Sequence, residues 1–242
     1  GIIVSLFDKS HNSLDNLKND YPELESSLVF DDINKFISSI SKPRKVLVLV
    51  PSGAALDELI SILIKHLDSN DILIDGGNTN PNISSKNHQT IKSNKLLYLG
   101  IGVSGGVKGV LEGPSIMIGG DTNAFDQVKN IFSQITSKTI NDSKSFEFFG
   151  DSNQGHFVKM IHNGIEYVEM QLISSIYYLI KKFEKYIYDD IVKIFQKWND
   201  IDLNSYLLEI SIVKLSEKTD DSYLLDKIDD RADDNGTGRW ML

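Results

Sequence analysis

Residues 45–78 read KVLVLVPSGAALDELISILIKHLDSNDILIDGGN, and the periodicities in this stretch decide the fold. After Lys45 comes an unbroken run of Val and Leu to Val50, as expected of a strand covered on both faces. Leu56, Leu59, Ile60, Leu63, Ile64 and Leu67 then recur at helical spacing, which predicts a helix over 54–67. Residues 72–74 form a second apolar strand, ending at Asp75-Gly-Gly-Asn78. A strand, a helix and a strand joined by short turns make a parallel crossover unit. The same alternation extends in both directions. Strands are predicted over 1–7, 96–99, 115–118 and 146–149. Asp31 or Asp32 can cap a helix running to residue 40, and Asp121 or Thr122 one running to residue 135. Together these predict a mostly parallel sheet with helices on both faces.

The pattern changes near residue 150. Beyond it the chain reads as helical over 154–182, 189–198, 203–215 and 222–228. The first of these is apolar nearly all round and is expected to lie buried between neighbours. The domain boundary is placed at about residue 150, between an α/β domain (1–150) and the start of an all-helical one (151–242).

The chain has 242 residues, of which 40% are apolar, enough for a substantial core. Acidic residues (34) outnumber Lys plus Arg (25), giving a net charge of -9 and no general attraction to a nucleic-acid backbone. There is no cysteine, hence no disulfide framework, thiolate nucleophile or thiolate metal site. This fits a reducing compartment and a cytoplasmic location. Residues 1–6 are apolar but lack the basic flank of a secretory signal, and Asp8 and Lys9 follow at once. The apolar tract 167–180 is broken by Glu169 and Gln171 and is too short to cross a bilayer. The sequons at Asn82, Asn141 and Asn235 therefore read as polar loop sequence.

A dinucleotide-binding unit opens with a strand, a glycine-rich turn and a helix. A charged residue follows at the tip of the second strand. Residues 1–8 look like that second strand, with Asp8, Lys9 and Ser10 at its tip. No glycine fingerprint stands before them. The expected fold class is thus an α/β Rossmann-type domain missing its first β-α unit, roughly two dozen residues that would hold the pyrophosphate cradle. The alternative is a domain of different topology that starts at Gly1.

Three stretches carry candidate chemistry. In GHFVKMIHNGIEY, residues 155–167, Lys159, His162, Asn163 and Glu166 stand at i, i+3, i+4 and i+7, on one helix face. Either that face is solvated, or it holds a site in which Lys159 has a lowered pKa and acts as a base. In GIGVSGG, residues 100–106, the glycines let a backbone approach a ligand closely, or simply make a turn. Asn78 lies beyond the carboxyl end of a strand, where ligands of open α/β sheets bind. No His/Asp cluster suggests a metal site, and none is expected.

The stretches KPRKVLVLV, NDILIDGGN, GVSGGVKGVLEGPSIMIGG, GHFVKMIHNGIEYVEMQLI, NSYLLEI, YLLDKI and GTGRW occur in the order of the 6-phosphogluconate dehydrogenase family. The whole chain resembles that family. The Gly-x-x-x-Lys-x-x-x-Asn helix and the Ser-Gly-Gly turn are shared with the wider β-hydroxyacid dehydrogenases, whereas HNGIEY and GTG-x-W are particular to this member. The family's chain continues further, through a long helical region and a tail. The resemblance implies oxidative decarboxylation of 6-phosphogluconate to ribulose 5-phosphate and carbon dioxide with reduction of NADP, in the oxidative pentose phosphate pathway. It implies that Lys159 is the base and later the acid, and that Glu166 protonates the enediol carbon. Asn78, Ser104, Gly105, Gly106, His162 and Asn163 would hold the sugar acid, and Tyr167 and Arg239 its phosphate. Asp8, Lys9, Ser10, Val50, Pro51, Ser52 and Asn78 would face the cofactor. Family members are homodimers in which one subunit's tail completes the other's site, with no nucleic-acid or membrane partner.

The chain departs from the family at several points. Asp8-Lys9-Ser10 stands where the family usually has Asn-Arg-Thr, so the arginine fork on the 2′-phosphate is lost, and Asp8 could bond a free 2′-hydroxyl instead. NAD is therefore an alternative to NADP. Pro51-Ser52-Gly53 replaces Lys-Ala-Gly, Arg239 replaces a lysine, and Met241 stands where a threonine is usual. Asp233-Asp234-Asn235 precedes the GTGRW stretch in place of a glutamine-lysine approach. Two other readings remain: a related β-hydroxyacid dehydrogenase, and a catalytically silent homologue serving as a structural or interaction subunit.

Overall fold

The computed structural model describes residues 2–24, 28–139, 141–229, 231 and 236–241, and divides them into two units, Gly1–Met160 and Ile161–Leu242. The five-stranded sheet of the first unit ends at Phe148, near the sequence boundary at residue 150. The division between units falls later, inside a long helix.

The first unit is built on a five-stranded sheet of order β3-β4-β5-β6-β7. Its strands are β3 (Lys45–Val48), β4 (Ile72–Asp75), β5 (Leu97–Ser104), β6 (Ser115–Gly120) and β7 (Phe146–Phe148). All neighbours run parallel except β5 and β6, which are antiparallel. Helices α3 (Ala54–His66), α4 (Pro81–Ser93), α5 (Gly106–Glu112) and α6 (Thr122–Ile135) connect them. Ahead of the sheet, β1 (Leu6–Phe7) pairs in parallel with β2 (Val29–Phe30) as a separate two-stranded ribbon, around helix α1 (His11–Asp20). Helix α2 (Ile33–Ser39) follows, and Asp32 caps it through the Asn34 and Lys35 amides.

Side-chain alternation gives the sheet two apolar faces. On one, Val46, Val48, Leu73 and Tyr98 pack against Leu56, Ile60 and Leu63 of α3 and Ile91 of α4. On the other, Ile72, Ile74, Leu99, Ile101, Ile116 and Ile118 pack against Ala124, Val128 and Phe132 of α6. At the start of β3 and β4, Asp71 ties the strands together. It accepts from the Arg44 amide at 2.7 Å and from Arg44 Nη1 at 2.8 Å.

Several expectations need correction. The first strand is two residues long, not seven, because only Leu6 and Phe7 find ladder partners among the described residues; Ile2, Ile3 and Val4 are exposed. Strand β3 is covered on one face only, and Leu47 and Leu49 stand exposed. Helix α6 has Asp121 at its N-cap position, but the carboxylate makes no capping bond. Instead it accepts from the Tyr98 amide at 2.8 Å and bonds His88 Nε2 at 3.1 Å, joining β5 to α4.

The second unit is helical. Helix α7 (Gln154–Phe183) enters it from the first, followed by α8 (Tyr188–Asn199) and α9 (Tyr206–Ser216). Ile173, Tyr177 and Ile180 of α7 pack with Tyr188, Ile191, Phe195, Leu208 and Leu215. The opposite side of α7 is open: Ile165, Val168, Leu172, Ile176 and Leu179 are exposed, so the helix is not buried all round. The helix predicted over 222–228 is replaced by a hairpin. Asp220 and Asp221 both adopt positive φ (50° and 63°), the geometry of a tight hairpin turn, and pair β8 (Lys218–Thr219) with β9 (Ser222–Tyr223). A 3-10 turn, Leu224–Lys227, follows.

What positions α7 is a set of absent side chains. Asp75, Gly100 and Gly119 lie side by side across β4, β5 and β6. A Cβ on Gly155 would sit 2.2 Å from the Gly100 carbonyl oxygen, and one on Gly102 would sit 2.3 Å from Lys159 Cβ. The first turns of α7 thus rest on bare backbone of β5. Backbone cannot swing aside as a side chain can. Gly155→Ala should therefore cost about 1–3 kcal/mol of stability, read as a lower denaturant midpoint; an unchanged midpoint would contradict this packing.

Acid sensitivity has a nameable source at Asp121. Burial alone would raise its carboxyl pKa, but the His88 hydrogen bond, the Tyr98 amide and the His88 and Lys92 charges outweigh burial and hold it below the ordinary carboxylate value. A depressed folded value means the carboxylate stabilises the fold fully above the ordinary carboxylate range, and the contribution is lost as pH falls through the lowered value. Asp121→Asn should flatten the loss of thermal stability between roughly pH 5 and 3. An equally steep loss in the variant would place the acid sensitivity elsewhere.

Candidate active site

Three loops of the first unit emerge at the carboxyl ends of neighbouring parallel strands, the position at which open α/β sheets bind ligands. Val50, Pro51 and Ser52 follow β3, Asn78 follows β4, and Ser104, Gly105 and Gly106 close β5. The first two loops touch. The Gly76 amide donates to the Val48 carbonyl at 2.9 Å, and a Cβ on Gly77 would lie 2.8 Å from the Val50 carbonyl oxygen. Asn78 is exposed at the tip of its turn. Gly105 and Gly106 have φ of +130° and +57°, and Gly106 begins helix α5. A Cβ on Gly105 would approach Gly109 Cα to 2.8 Å, so this turn requires glycine for room as well as for φ.

Lys159 lies in the second turn of α7 and is 9% exposed. Its stem crosses β5 where Gly102 has no side chain. The amino group is thereby carried on an element whose position the sheet fixes, as a group that must meet a reacting atom requires.

Asp8, Lys9 and Ser10 follow β1. Asp8 Oδ1 accepts from the Ser10 amide at 2.8 Å, and Ser10 Oγ accepts from the Ser13 amide at 3.3 Å as the N-cap of α1. The tip is thus a helix entry. Lys9 is exposed, and His11 lies 3.6 Å from Asp31.

In the second unit α7 continues through His162, Asn163, Glu166 and Tyr167. His162 Nδ1 lies 3.0 Å from Asn163 Oδ1 and 3.8 Å from Glu166 Oε2. Asn163 is 9% exposed, whereas the Glu166 side chain is 39% exposed. Tyr167 packs against the 3-10 turn Gly238–Met241: a Cβ on Gly238 would lie 2.3 Å from Tyr167 Cδ2. Arg239, exposed, follows Gly238 on that turn. Beside them Thr237 is buried, and its hydroxyl has no hydrogen-bond partner. Residues 233–235, singled out for their acidic approach to this turn, lie outside the described residues.

Sequence reasoning missed a buried polar group in the first unit. Asp75, Thr79, Ser84, Tyr98 and His156 are each 2% exposed or less and are joined by hydrogen bonds under the Asn78 turn. The available signal was a carboxylate ending an apolar strand, which must find donors when buried. Among the described residues no three His, Asp or Glu side chains come together as a metal site, and no helix is long and apolar enough to cross a membrane.

Comparison with known proteins gives the following. Residues 1–143 match the NAD binding domain of 6-phosphogluconate dehydrogenase, and residues 155–242 match the C-terminal domain of 6-phosphogluconate dehydrogenase. The decarboxylating 6-phosphogluconate dehydrogenase of Lactococcus lactis subsp. cremoris is 39% identical over 99% of this chain and 51% of its own length. The human one is 37% identical over 99% and 50%. The chain spans about half the length of the curated relatives it matches. Plasmodium falciparum 6-phosphogluconate dehydrogenase, solved apo, with its cofactor NADP+ and with its substrate 6-phosphogluconate, superposes with a TM-score of 0.91 at 37% identity, over 100% of this chain and 52% of that one. A Mycobacterium tuberculosis 3-hydroxyisobutyrate dehydrogenase shares the fold, with a TM-score of 0.68 at 17% identity over 86% of this chain and 65% of that one.

Proposed function

Since the chain belongs to the 6-phosphogluconate dehydrogenase family, we propose that it carries the cofactor-binding and catalytic-helix part of an enzyme that oxidises and decarboxylates 6-phosphogluconate with NADP. The observation that carries this reading is the seating of Lys159 on bare β5 backbone at Gly102, at the end of the sheet where the Asn78 and Ser104–Gly106 turns emerge. Residues 1–150 serve as the cofactor domain and 151–242 as the start of the substrate and dimerisation domain. The working form is a cytoplasmic homodimer.

The loops fit a dinucleotide: Val50, Pro51 and Ser52 meet the Asn78 turn directly, and Gly77 keeps that approach open. These residues, with Asp8, Lys9 and Ser10, would hold NADP, whose nicotinamide supplies the hydride acceptor. Asn78, Ser104, Gly105, Gly106, His162 and Asn163 orient the sugar acid, and Tyr167 and Arg239 hold its phosphate. Lys159, neutral at the outset, takes the proton of the C3 hydroxyl. The resulting β-keto acid loses carbon dioxide, and Lys159, now an ammonium, stabilises the oxygen that gains charge. Glu166 delivers the proton to C1 of the enediol.

A second reading, NAD in place of NADP, is favoured by one observation. Asp8 uses Oδ1 for the Ser10 amide, which leaves Oδ2 to receive a ribose hydroxyl.

Reduced-cofactor absorbance with 6-phosphogluconate, run with NADP and NAD in parallel, tests both readings. Lys159→Met should lower kcat by about 10²–10⁴-fold with cofactor binding intact. A folded parent protein that binds cofactor but reduces none of it would favour the silent homologue.

A further inference from the structure

With every contact in the buried file under the Asn78 turn made as a hydrogen bond, one placement of its protons satisfies them all. Thr79 Oγ1 donates to Asp75 Oδ2 at 2.9 Å, and Tyr98 Oη donates to the same oxygen at 3.3 Å. The single phenolic hydrogen is then committed. The 3.0 Å bond between Ser84 Oγ and Tyr98 Oη must therefore be donated by Ser84. That commits the serine hydrogen in turn. The 2.9 Å bond between His156 Nδ1 and Ser84 Oγ must be donated by the imidazole, so the ring proton sits on Nδ1. Nε2 is left as a buried nitrogen with no hydrogen-bond partner among the described residues.

The file connects two parts of the first unit that are far apart in sequence. At one end Asp75 Oδ1 accepts from the Gly77 amide at 3.1 Å and shapes the turn that presents Asn78. At the other, His156 lies in the first turn of α7, one helical turn before Lys159. Gly100 leaves room for it: a Cβ there would be 2.9 Å from both His156 Nδ1 and Ser84 Oγ. Burial pushes the His156 imidazole below its ordinary pKa against the pull of Asp75 and the Gly77 and Asp75 carbonyls, so the neutral ring suits the site.

We propose that Asp75, Tyr98, Ser84 and His156 act as a positioning relay, which locks His156 in its Nδ1–H form and sets Lys159 relative to the Asn78 turn. The catalytic consequence rests on the function proposed above; the tautomer does not. His156 is a positioning residue, since it acts through Lys159 and the Asn78 turn.

Two measurements decide it. Nitrogen-15 NMR of the histidine side chains distinguishes the tautomers in the unmodified protein. A protonated Nδ1 with a bare Nε2 is expected for His156, and a protonated Nε2 overturns the relay. Ser84→Ala removes the acceptor for Nδ1–H, so the proton should move to Nε2. In the folded variant kcat should drop about tenfold while KM for the sugar acid changes by less than about twofold. Tyr98→Phe in the Ser84→Ala background should cost little more, because members of one network do not add. A Ser84→Ala protein with parent kcat overturns the positioning role, as does a full second loss in the double variant. Should the parent protein reduce no cofactor with 6-phosphogluconate, the functional reading fails, and the relay is still decided by the His156 tautomer in parent and Ser84→Ala protein.

Discussion

The close approach of α7 to β5 is the constraint on which the first unit's chemistry depends. Side chains normally hold packed layers apart, about 10 Å between stacked sheets. Here Gly100 and Gly102 on β5, Gly119 on β6 and Gly155 on α7 remove the ridges at the crossing, and the helix backbone meets strand backbone. Two results follow from one packing choice. The stem of Lys159 is clamped near its Cβ, so its remaining freedom is confined to the outer part of the side chain. And the space that a residue at position 100 would fill is taken by His156 and Ser84. An apolar core at this place would have been simpler, since each buried polar atom must find a partner or cost stability. What the polar file adds is direction, because hydrogen bonds fix orientation where apolar contacts fix only distance.

Much of the fold is legible in the sequence, and the reasons are particular. Helix α3 and strand β4 show themselves because their neighbours bury them on an apolar face, so the spacing of Leu and Ile repeats the geometry of the element. Helix α4 does not. Its buried residues are Pro81, Ser84, Asn87, His88 and Ile91, so four of the five carry no strong apolar signal. Its start was nonetheless written in Asn80-Pro81, an N-cap followed by proline in the first turn. The antiparallel step from β5 to β6 leaves no mark either, since a strand pattern carries no direction. The hairpin at Asp220-Asp221 failed for a related reason: a two-residue turn between two-residue strands is too short to have a period.

The site divides along the same line. Lys159, His162, Asn163 and Glu166 are legible because one helix carries them, and helical spacing converts directly into a shared face. The turn that carries Arg239 meets Tyr167 through Gly238, a contact across more than seventy residues that no periodicity encodes. The file beneath Asn78 is hidden in the same way, with His156 and Ser84 72 residues apart. Residues that touch a substrate tend to declare themselves by chemical type. The residues that hold them in place are ordinary in type and unusual only in where the fold puts them.

Both the proposed base and the proposed acid stand on α7. Lys159 and Glu166 are seven residues apart, which is about 10.5 Å along a helix axis. A continuous backbone hydrogen-bond ladder joins them along the helix. The division between the two units falls just after Met160, one residue beyond Lys159. Only the register of the first turns against β5 must be maintained from outside the helix, and this is the end at which the glycines and the His156 file are concentrated.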